Sequence, residues 1–335
     1  MPKQQFKNNY SIAIITIINT ENVTEYSLAL QSMKCYAIKY NYRYVLINVK
    51  KNTRYSKSCK QTDFMYQRHC VLANYLDYNH TPPKYFIFID ADIGVVNPNH
   101  LLESFLPRDN ENLVFYERMY NHEIMAGSFI GKNTIFTQKF LMYWADYDFK
   151  KPKSFDGSDN AAIHNVFVDL FGQGKKKIDK KYQHCMKLWK SSRTWQDIRI
   201  YVACMRNIIN NISDSNSTIN NEYLFGDGKV KVLKKENSKR WSRDIWLLNS
   251  IWAPSDFLLH DLKMSNLNTD NERSWTAPWN TIKFNMKLCH KKNNDKNWYY
   301  NDLLIRTNKY VTAELFKYIG FVGLQYKEDL KRSLV

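Results

Sequence analysis

Short apolar runs alternate with longer segments of helical periodicity along the first part of the chain. Residues 11–19 (SIAIITIIN) read as a buried strand, and residues 26–40 as a helix with Leu28, Ala29, Met33, Tyr36 and Ala37 near one face. Residues 42–48 (YRYVLIN) are a second strand, so the chain opens as strand, helix, strand, the pattern of a parallel βαβ unit. A basic loop covers 50–60, and 63–79 reads as a helix with Asp63 at its N-cap. Pro82 and Pro83 then break the chain before 85–89 (YFIFI), a run too short for a helix and rich in β-branched and aromatic residues. Three strands separated by helices open a nucleotide-binding α/β half.

Beyond that strand the pattern predicts a short helix over 98–106, a strand over 112–117 and a small-residue strand or turn over 124–131 (IMAGSFIG). An amphipathic helix over 134–146, a turn over 154–158 and a helix over 159–171 follow. Residues 172–181 read as a Gly and Lys loop, and 207–221, rich in Asn and Ser, as exposed. Residues 230–233 and 246–248 suggest short strands, and 257–259 another that ends at His260. From about 265 the chain turns to Asn, Lys and Trp with weaker periodicity, leaving one helix near 312–319. No internal repeat is visible.

The strand over 85–89 ends in Asp90-Ala91-Asp92, with Gly94 and Pro98 as breakers behind it. Ligands collect at the carboxyl ends of strands in open α/β sheets, so both carboxylates stand where chemistry is expected. Carboxylate pairs suit hard divalent cations, Mg²⁺ or Mn²⁺, which keep positions open for phosphates. Three chemistries use such a strand end. A nucleotide-sugar glycosyltransferase bridges carboxylates and donor diphosphate through the metal. An aspartate-nucleophile phosphatase would need its motif at a fold-opening strand, and Gly94 stands at its fifth position. A calcium loop fails, since Val95 and Leu101 occupy positions that need glycine and a carboxylate. The plain alternative is a polar strand end capping the helix that follows.

Bulk properties narrow these options. With 335 residues, 44% of them hydrophobic, the chain can bury a sizeable core, and its net charge of +17 favours anionic partners. No nucleic-acid-binding module is recognisable, and no run is long and apolar enough to span a membrane. Residues 1–9 are polar and basic. Glycosylation acceptor triplets start at Asn9, Asn22, Asn79, Asn211 and Asn216. The six cysteines lack C-x-x-C spacing, which speaks against zinc and leaves disulfides permitted.

The segments YFIFIDADIGVVNP, NHEIMAGSFIGKN, FDGSDNAAIH and DFLLHDLK together resemble nucleotide-sugar glycosyltransferases of the GT-A fold. More narrowly they are similar to a nematode family of unassigned activity, itself distantly related to Golgi galactosyl-, mannosyl- and xylosyltransferases. The resemblance implies an α/β/α sandwich with a mostly parallel central sheet. It implies a domain over 10–264, with a donor half over 10–118 and an acceptor half over 119–264, and a C-terminal extension over 265–335. Asp90 and Asp92 match the D-x-D that holds Mn²⁺ (or Mg²⁺) and the donor, and His260 matches the late metal-ligating histidine. Lys263 stands where a glycine is usual and itself suits a phosphate. Asp159 and Asn160 match an acidic-amide pair beside the transferred sugar, although Asp159 equally suits a helix cap. Gly127 falls in the small-residue segment that lets backbone approach the donor, Arg68 matches a basic position near the diphosphate, and Thr16 and Asn19 lie where the nucleobase is expected. His69 and His164 read as packed helix histidines and are left out.

The activity so implied is transfer of a hexose or pentose from a nucleoside-diphosphate sugar, UDP-sugar favoured, to a hydroxyl of a glycan or glycoprotein, with retention. A Golgi-lumenal enzyme would carry a type II anchor or signal ahead of this chain; a cytosolic location stays open. The alternatives are a catalytically silent sugar-nucleotide or glycan-binding relative and a metal-dependent phosphohydrolase with Asp90 as nucleophile.

Overall fold

Alternation of buried side chains along short strands builds a sheet covered on both faces. The computed structural model describes residues 11–172, 176–214, 221–289 and 296–334. The opening follows the predicted order: β1 (Ile12–Ile18), α1 (Ser27–Tyr40), β2 (Arg43–Asn48), α2 (Phe64–Tyr78) and β3 (Tyr85–Ile89). Then come β4 (Gly94–Val95), β5 (Leu113–Tyr116), β6 (Ser128–Lys132), α3 (Ile135–Ala145), α4 (Ser158–Phe171), α5 (Lys176–Ser191) and α6 (Trp195–Ile212). The chain closes with β7 (Glu222–Phe225), β8 (Val230–Leu233), β9 (Ser242–Asp244), β10 (Leu258–His260) and α7 (Asn308–Arg332).

Seven strands form the main sheet in the order β2-β1-β3-β6-β5-β8-β7, and three more form a small sheet, β4-β10-β9. The fold is mixed α/β. Of the six pairings in the main sheet, β1–β2, β1–β3 and β5–β8 are parallel, whereas β3–β6, β5–β6 and β7–β8 are antiparallel. Five of the seven strands (β2, β1, β3, β5 and β8) run the same way, as expected of a mostly parallel sheet; β6 runs against both of its neighbours and β7 against β8, which makes half of the pairings antiparallel. Ala13, Ile15, Ile17, Phe86, Phe88 and Phe115 point into one core with residues of α2, α3, α4 and α6. Ile12, Ile14, Ile87, Ile89 and Val114 point into a second core with α1, β10 and the C-terminal segment. Strands buried on both faces read as unbroken apolar runs, which is why the first and third were visible in the sequence.

Local chemistry explains several boundaries. The Asp63 side chain accepts a hydrogen bond from the Met65 amide at the start of α2, and Thr134 does the same for Thr137 in α3. α1 ends at Asn41, which takes the left-handed conformation (φ 58°) that asparagine tolerates. Elsewhere the outcome differs from the pattern. The predicted helix over 98–106 shrinks to one 3₁₀ turn, Leu102–Phe105, and the predicted strand over 246–248 is a 3₁₀ turn, Ile245–Leu248. The predicted loop over 172–181 is helical from Lys176 onward; residues 173–175 lie outside the described residues. The Asn-rich stretch from 207 begins as the last turns of α6, where Ile208, Ile209 and Ile212 are buried; 215–220 lie outside the described residues. In both places charged and amide residues on the outer face masked an amphipathic helix.

The C-terminal segment packs onto the second core through Trp275, Trp279, Phe284 and Trp298, and α7 is far longer than its predicted core of 312–319. Asp329 of α7, almost wholly buried, accepts hydrogen bonds from Arg199 (2.6 Å) and His122 (2.9 Å). All six cysteines pair: Cys35–Cys289, Cys59–Cys70 and Cys185–Cys204. Among the described residues no helix is long and apolar enough to cross a membrane.

Three buried histidines are held neutral. His164 donates from Nδ1 to the Ala161 carbonyl and accepts the Ile124 amide at Nε2, a pattern that only the neutral ring supports. Burial, reinforced by Arg206, lowers its pKa to about 3, and burial lowers those of His69 and His122 to about 4. A depressed histidine pKa contributes stability that is complete above the unfolded value near 6.5 and is lost as pH falls toward the folded value. His260, whose pKa is raised, acts in a different window: its stabilisation is complete below 6.5 and is lost as pH rises through its folded value, so it leaves the effect of the other three below 6.5 in place. Unfolding free energy should fall between pH 6.5 and 5, above the ordinary carboxylate range, by at most about 1.4 kcal/mol per pH unit for each of those three histidines. Denaturant titrations across that interval give the slope, and a flat profile contradicts this reading.

Candidate metal centre

The two sheets meet at the carboxyl end of β3. There β4 leaves Asp92 after a single residue and pairs antiparallel with β10, setting Gly94 opposite Leu259 and Val95 opposite Leu258. The Leu262 amide donates to the Asp92 carbonyl at 2.9 Å, closing the same junction. The parallel ladder between β10 and β9 sets His260 beside Asp244. Residues 168 positions apart in sequence, Asp92 and His260, thereby become neighbours. Asp90, Asp92 and His260 each offer one ligand atom, and these atoms lie within 4.8 Å of one another.

Two glycines make the junction possible. A Cβ on Gly127 would stand 2.1 Å from Asp90 Oδ2, and the Asp90 amide donates to the Gly127 carbonyl at 2.8 Å. A Cβ on Gly94 would stand 2.6 Å from Leu262 Cδ1 and 3.1 Å from the Ala29 backbone. Asp261, beside the histidine, takes a left-handed φ of 69°, which aspartate adopts more readily than most residues.

Each member of the cluster has its own support. His260 donates from Nδ1 to Asp244 Oδ1 at 2.7 Å, leaving Nε2 turned toward Asp92 Oδ1 at 3.4 Å. Asp244 is in turn held by Arg118 at 2.9 Å. Burial alone would lower the His260 pKa, but Asp92 and Asp244 outweigh it and raise the value. Burial tends to raise the Asp244 pKa, and Arg118 with His260 overcomes this, holding the carboxyl well below its usual range. Asp90 receives Arg68 Nη1 at 2.5 Å; burial nevertheless raises its pKa, with Asp92 adding to the effect. Lys263 Nζ lies 3.4 Å from Asp92 Oδ2 and 3.2 Å from Asp261 Oδ1.

These residues suit a divalent cation. Asp92 Oδ1 is buried and has no hydrogen-bond partner, a costly state for an anion that an added positive charge would relieve. Two carboxylates with one imidazole whose far nitrogen is tied to a carboxylate match the way histidine ligands are oriented in metal sites.

The other expected residues divide. Arg68 lies beside the cluster, bridging Asp90 and Asp159, which accepts from Arg68 Nη2 at 2.7 Å and from His69 Nε2 at 2.8 Å. Asp159 is completely buried, with His69 stacked on Trp144 at 3.6 Å, so its carboxylate supports Arg68 rather than facing solvent. Asn160, half-buried, borders a different cleft, beside Arg118. Thr16 lies inside β1 and is completely buried, not at the strand end; Asn19, just past β1, is exposed. Sequence reading missed Asp244, Arg118, Asp261 and Tyr26, whose pKa is raised by burial and then by Asp92. Only the register of β9 with β10 singles out Asp244, and a three-residue strand has no sequence signal.

A family model described as "Protein of unknown function, DUF273" matches residues 33–277. No curated protein matches by sequence. Among solved structures there is a likeness to a glycosyltransferase involved in the glycosylation of the major capsid of PBCV-1, at 12% identity and a TM-score of 0.33. It covers 41% of this chain and 65% of that one, less than two thirds of its length. A likeness this distant carries no argument about activity.

Two substitutions test the centre. Gly127→Ala should displace the Asp90 carboxylate and abolish Mn²⁺ binding in isothermal titration, while a native-like far-ultraviolet spectrum shows that the fold persists. Asp244→Ala removes the acceptor behind His260 and should weaken Mn²⁺ by about 10- to 100-fold, the effect typical of such outer partners. Unchanged affinity in either variant would place the metal elsewhere.

Proposed function

The chain belongs to the DUF273 family, and from the site it carries we propose that it is a metal-dependent glycosyltransferase using a nucleoside-diphosphate sugar. The observation that carries this reading is the Asp90–Asp92–His260 cluster at the carboxyl end of a central strand, with cationic side chains on both flanks. Asp90, Asp92 and His260 would hold Mn²⁺ or Mg²⁺, and such an ion supplies charge stabilisation for a departing diphosphate. Lys263, about a third exposed, can swing from Asp92 and Asp261 to a phosphate oxygen; Asp261 then keeps Arg273 at 3.8 Å, and Asp92 keeps His260 at 3.4 Å. Arg68 holds Asp90 in place and is itself held by Asp159, so the donor would meet a fixed carboxylate. In this assignment Asp159 and His69 are positioning residues, and Asn160 belongs to the acceptor side. Asn19, exposed past the end of β1, keeps its proposed place beside the base.

UDP-sugar as donor, a glycan or glycoprotein hydroxyl as acceptor, and retention of configuration complete the proposal. A lumenal, oxidising compartment such as the Golgi is proposed with it. Supporting this are three disulfides that use all six cysteines, together with acceptor triplets at exposed Asn22 and Asn211 and half-buried Asn79; Asn9 and Asn216 lie outside the described residues.

The deciding experiment is donor cleavage across UDP- and GDP-sugars, with Mn²⁺ and with EDTA, for the native protein and Asp92→Ala. Metal-dependent release of one nucleoside diphosphate is expected, lowered at least about a hundredfold in the variant, the scale seen when a group stabilising developing charge is removed. Saturable donor binding without release would instead mark a silent relative. Cleavage of simple phosphate esters with no donor binding would move the assignment to a phosphohydrolase.

A further inference from the structure

Beside the metal centre lies a second cleft, of ≈ 380 Å³, between the loop after β5 and the helices α6 and α7. Its mouth carries Trp195, 65% exposed, with its ring held edge-on against Phe155 at 4.8 Å between centroids. The Phe155 ring packs against it, and the capping box of Thr194 and Asp197 fixes the backbone at the start of α6 from which it projects. Four amides border the cleft: Asn121, Asn160, Gln196 and Gln325. Each amide both donates and accepts, matching hydroxyl groups that do the same.

The charges on the walls argue against an anionic occupant. Arg118 is committed to Asp244 and Glu123, and Arg199 to Asp329. Arg273 is the more loosely held guanidinium, with its side chain 55% exposed and Asp261 Oδ2 3.8 Å away. One loosely held cation among four amides and an aromatic face suits a neutral, hydroxyl-rich ring better than a diphosphate. The cleft also shares its walls with the metal centre. Arg118 lines it and bonds Asp244, which holds His260, and Asn160 directly follows Asp159, which holds Arg68 against Asp90.

We infer that this cleft binds a neutral pyranose of a glycan acceptor, its apolar ring face stacked on Trp195 and its hydroxyls read by the surrounding amides. The inference rests on the transferase reading for the word acceptor, but the binding itself needs neither metal nor donor. It is therefore measured without either, by saturation-transfer NMR and calorimetry on the full chain. The probes are methyl galactoside, methyl mannoside, methyl xyloside, N-acetylglucosamine and the corresponding trisaccharides, at millimolar concentrations.

At least one probe should bind, with signal transfer strongest to protons on one ring face. Trp195→Ala should weaken it by about five- to tenfold, Trp195→Phe by less, and Gln196→Ala in the same direction. Both positions are exposed, so the variants should fold, and thermal unfolding checks that they do. Binding that Trp195→Ala weakens supports the inference even where the native protein releases no nucleotide, in which case the transferase reading alone falls. Failure of every probe to bind, or equal affinity in native protein and Trp195→Ala, overturns it, whatever the donor assay shows.

Discussion

Two carboxylates set close together, Asp92 buried and Asp90 only partly exposed, dominate the design of this protein. Within 4.8 Å of each other and at an effective dielectric of 20, two unit charges repel by at least about 3.5 kcal/mol, a large fraction of what a typical domain has to spare. The surrounding charges answer it in layers. Arg68, His260 and Lys263 face Asp90 and Asp92, and Asp159, Asp244 and Asp261 stand behind those three. Each buried ion is paired, and the pairing ends in carboxylates that lack water but not partners. Asp92 Oδ1, buried and without a hydrogen bond although His260 Nε2 stands 3.4 Å away, is a place where the compensation is incomplete, as are Asp159 Oδ1 and Asp261 Oδ1 behind it. A carboxylate left in that state at the centre of the cluster is poised for a cation from outside.

The backbone serves that arrangement. The main sheet fixes Asp90 at the end of β3, whereas His260 depends on the small β4-β10-β9 sheet, which no simple βαβ count would include. Gly94 and Gly127 allow the two to approach, since side chains there would occupy the space of Leu262 and of the Asp90 carboxylate. The antiparallel β6 that spoils the parallel sheet is also the strand that Gly127 leads into, so the irregularity of the ladder and the support of Asp90 have the same origin.

Physical reasons separate what the chain disclosed from what it hid. β1, β3 and β8 were legible because burial demands apolar, β-branched residues over several positions. The aspartates were legible because two carboxylates two positions apart stand out directly after a five-residue apolar strand. α5 and the end of α6 were not, since a helix covering a core from outside shows one apolar stripe among many lysines and asparagines. Asp244 was invisible in principle: its importance lies in a register between two three-residue strands far along the chain. Asp159 illustrates a subtler miss. Its position was found, yet the sequence did not show that it is completely buried behind Arg68 and hydrogen-bonded to Arg68 and His69.

The Cys35–Cys289 bridge joins α1 to the segment that follows β10, across a separation of 254 residues. The cluster, its charged supports and the tryptophan-bordered cleft are drawn largely from inside the ring of chain that this bond closes. A peptide bond cut anywhere within that ring leaves two pieces that cannot diffuse apart while the bridge stands. The two halves of the metal centre, supplied by β3 and β10, would then remain one molecule with the cut acting only as a local loss of constraint. Covalent integrity of the site is thus entrusted to a sulfur bond as well as to the continuous backbone, and the surroundings that preserve that bond also set how long a nicked copy stays whole.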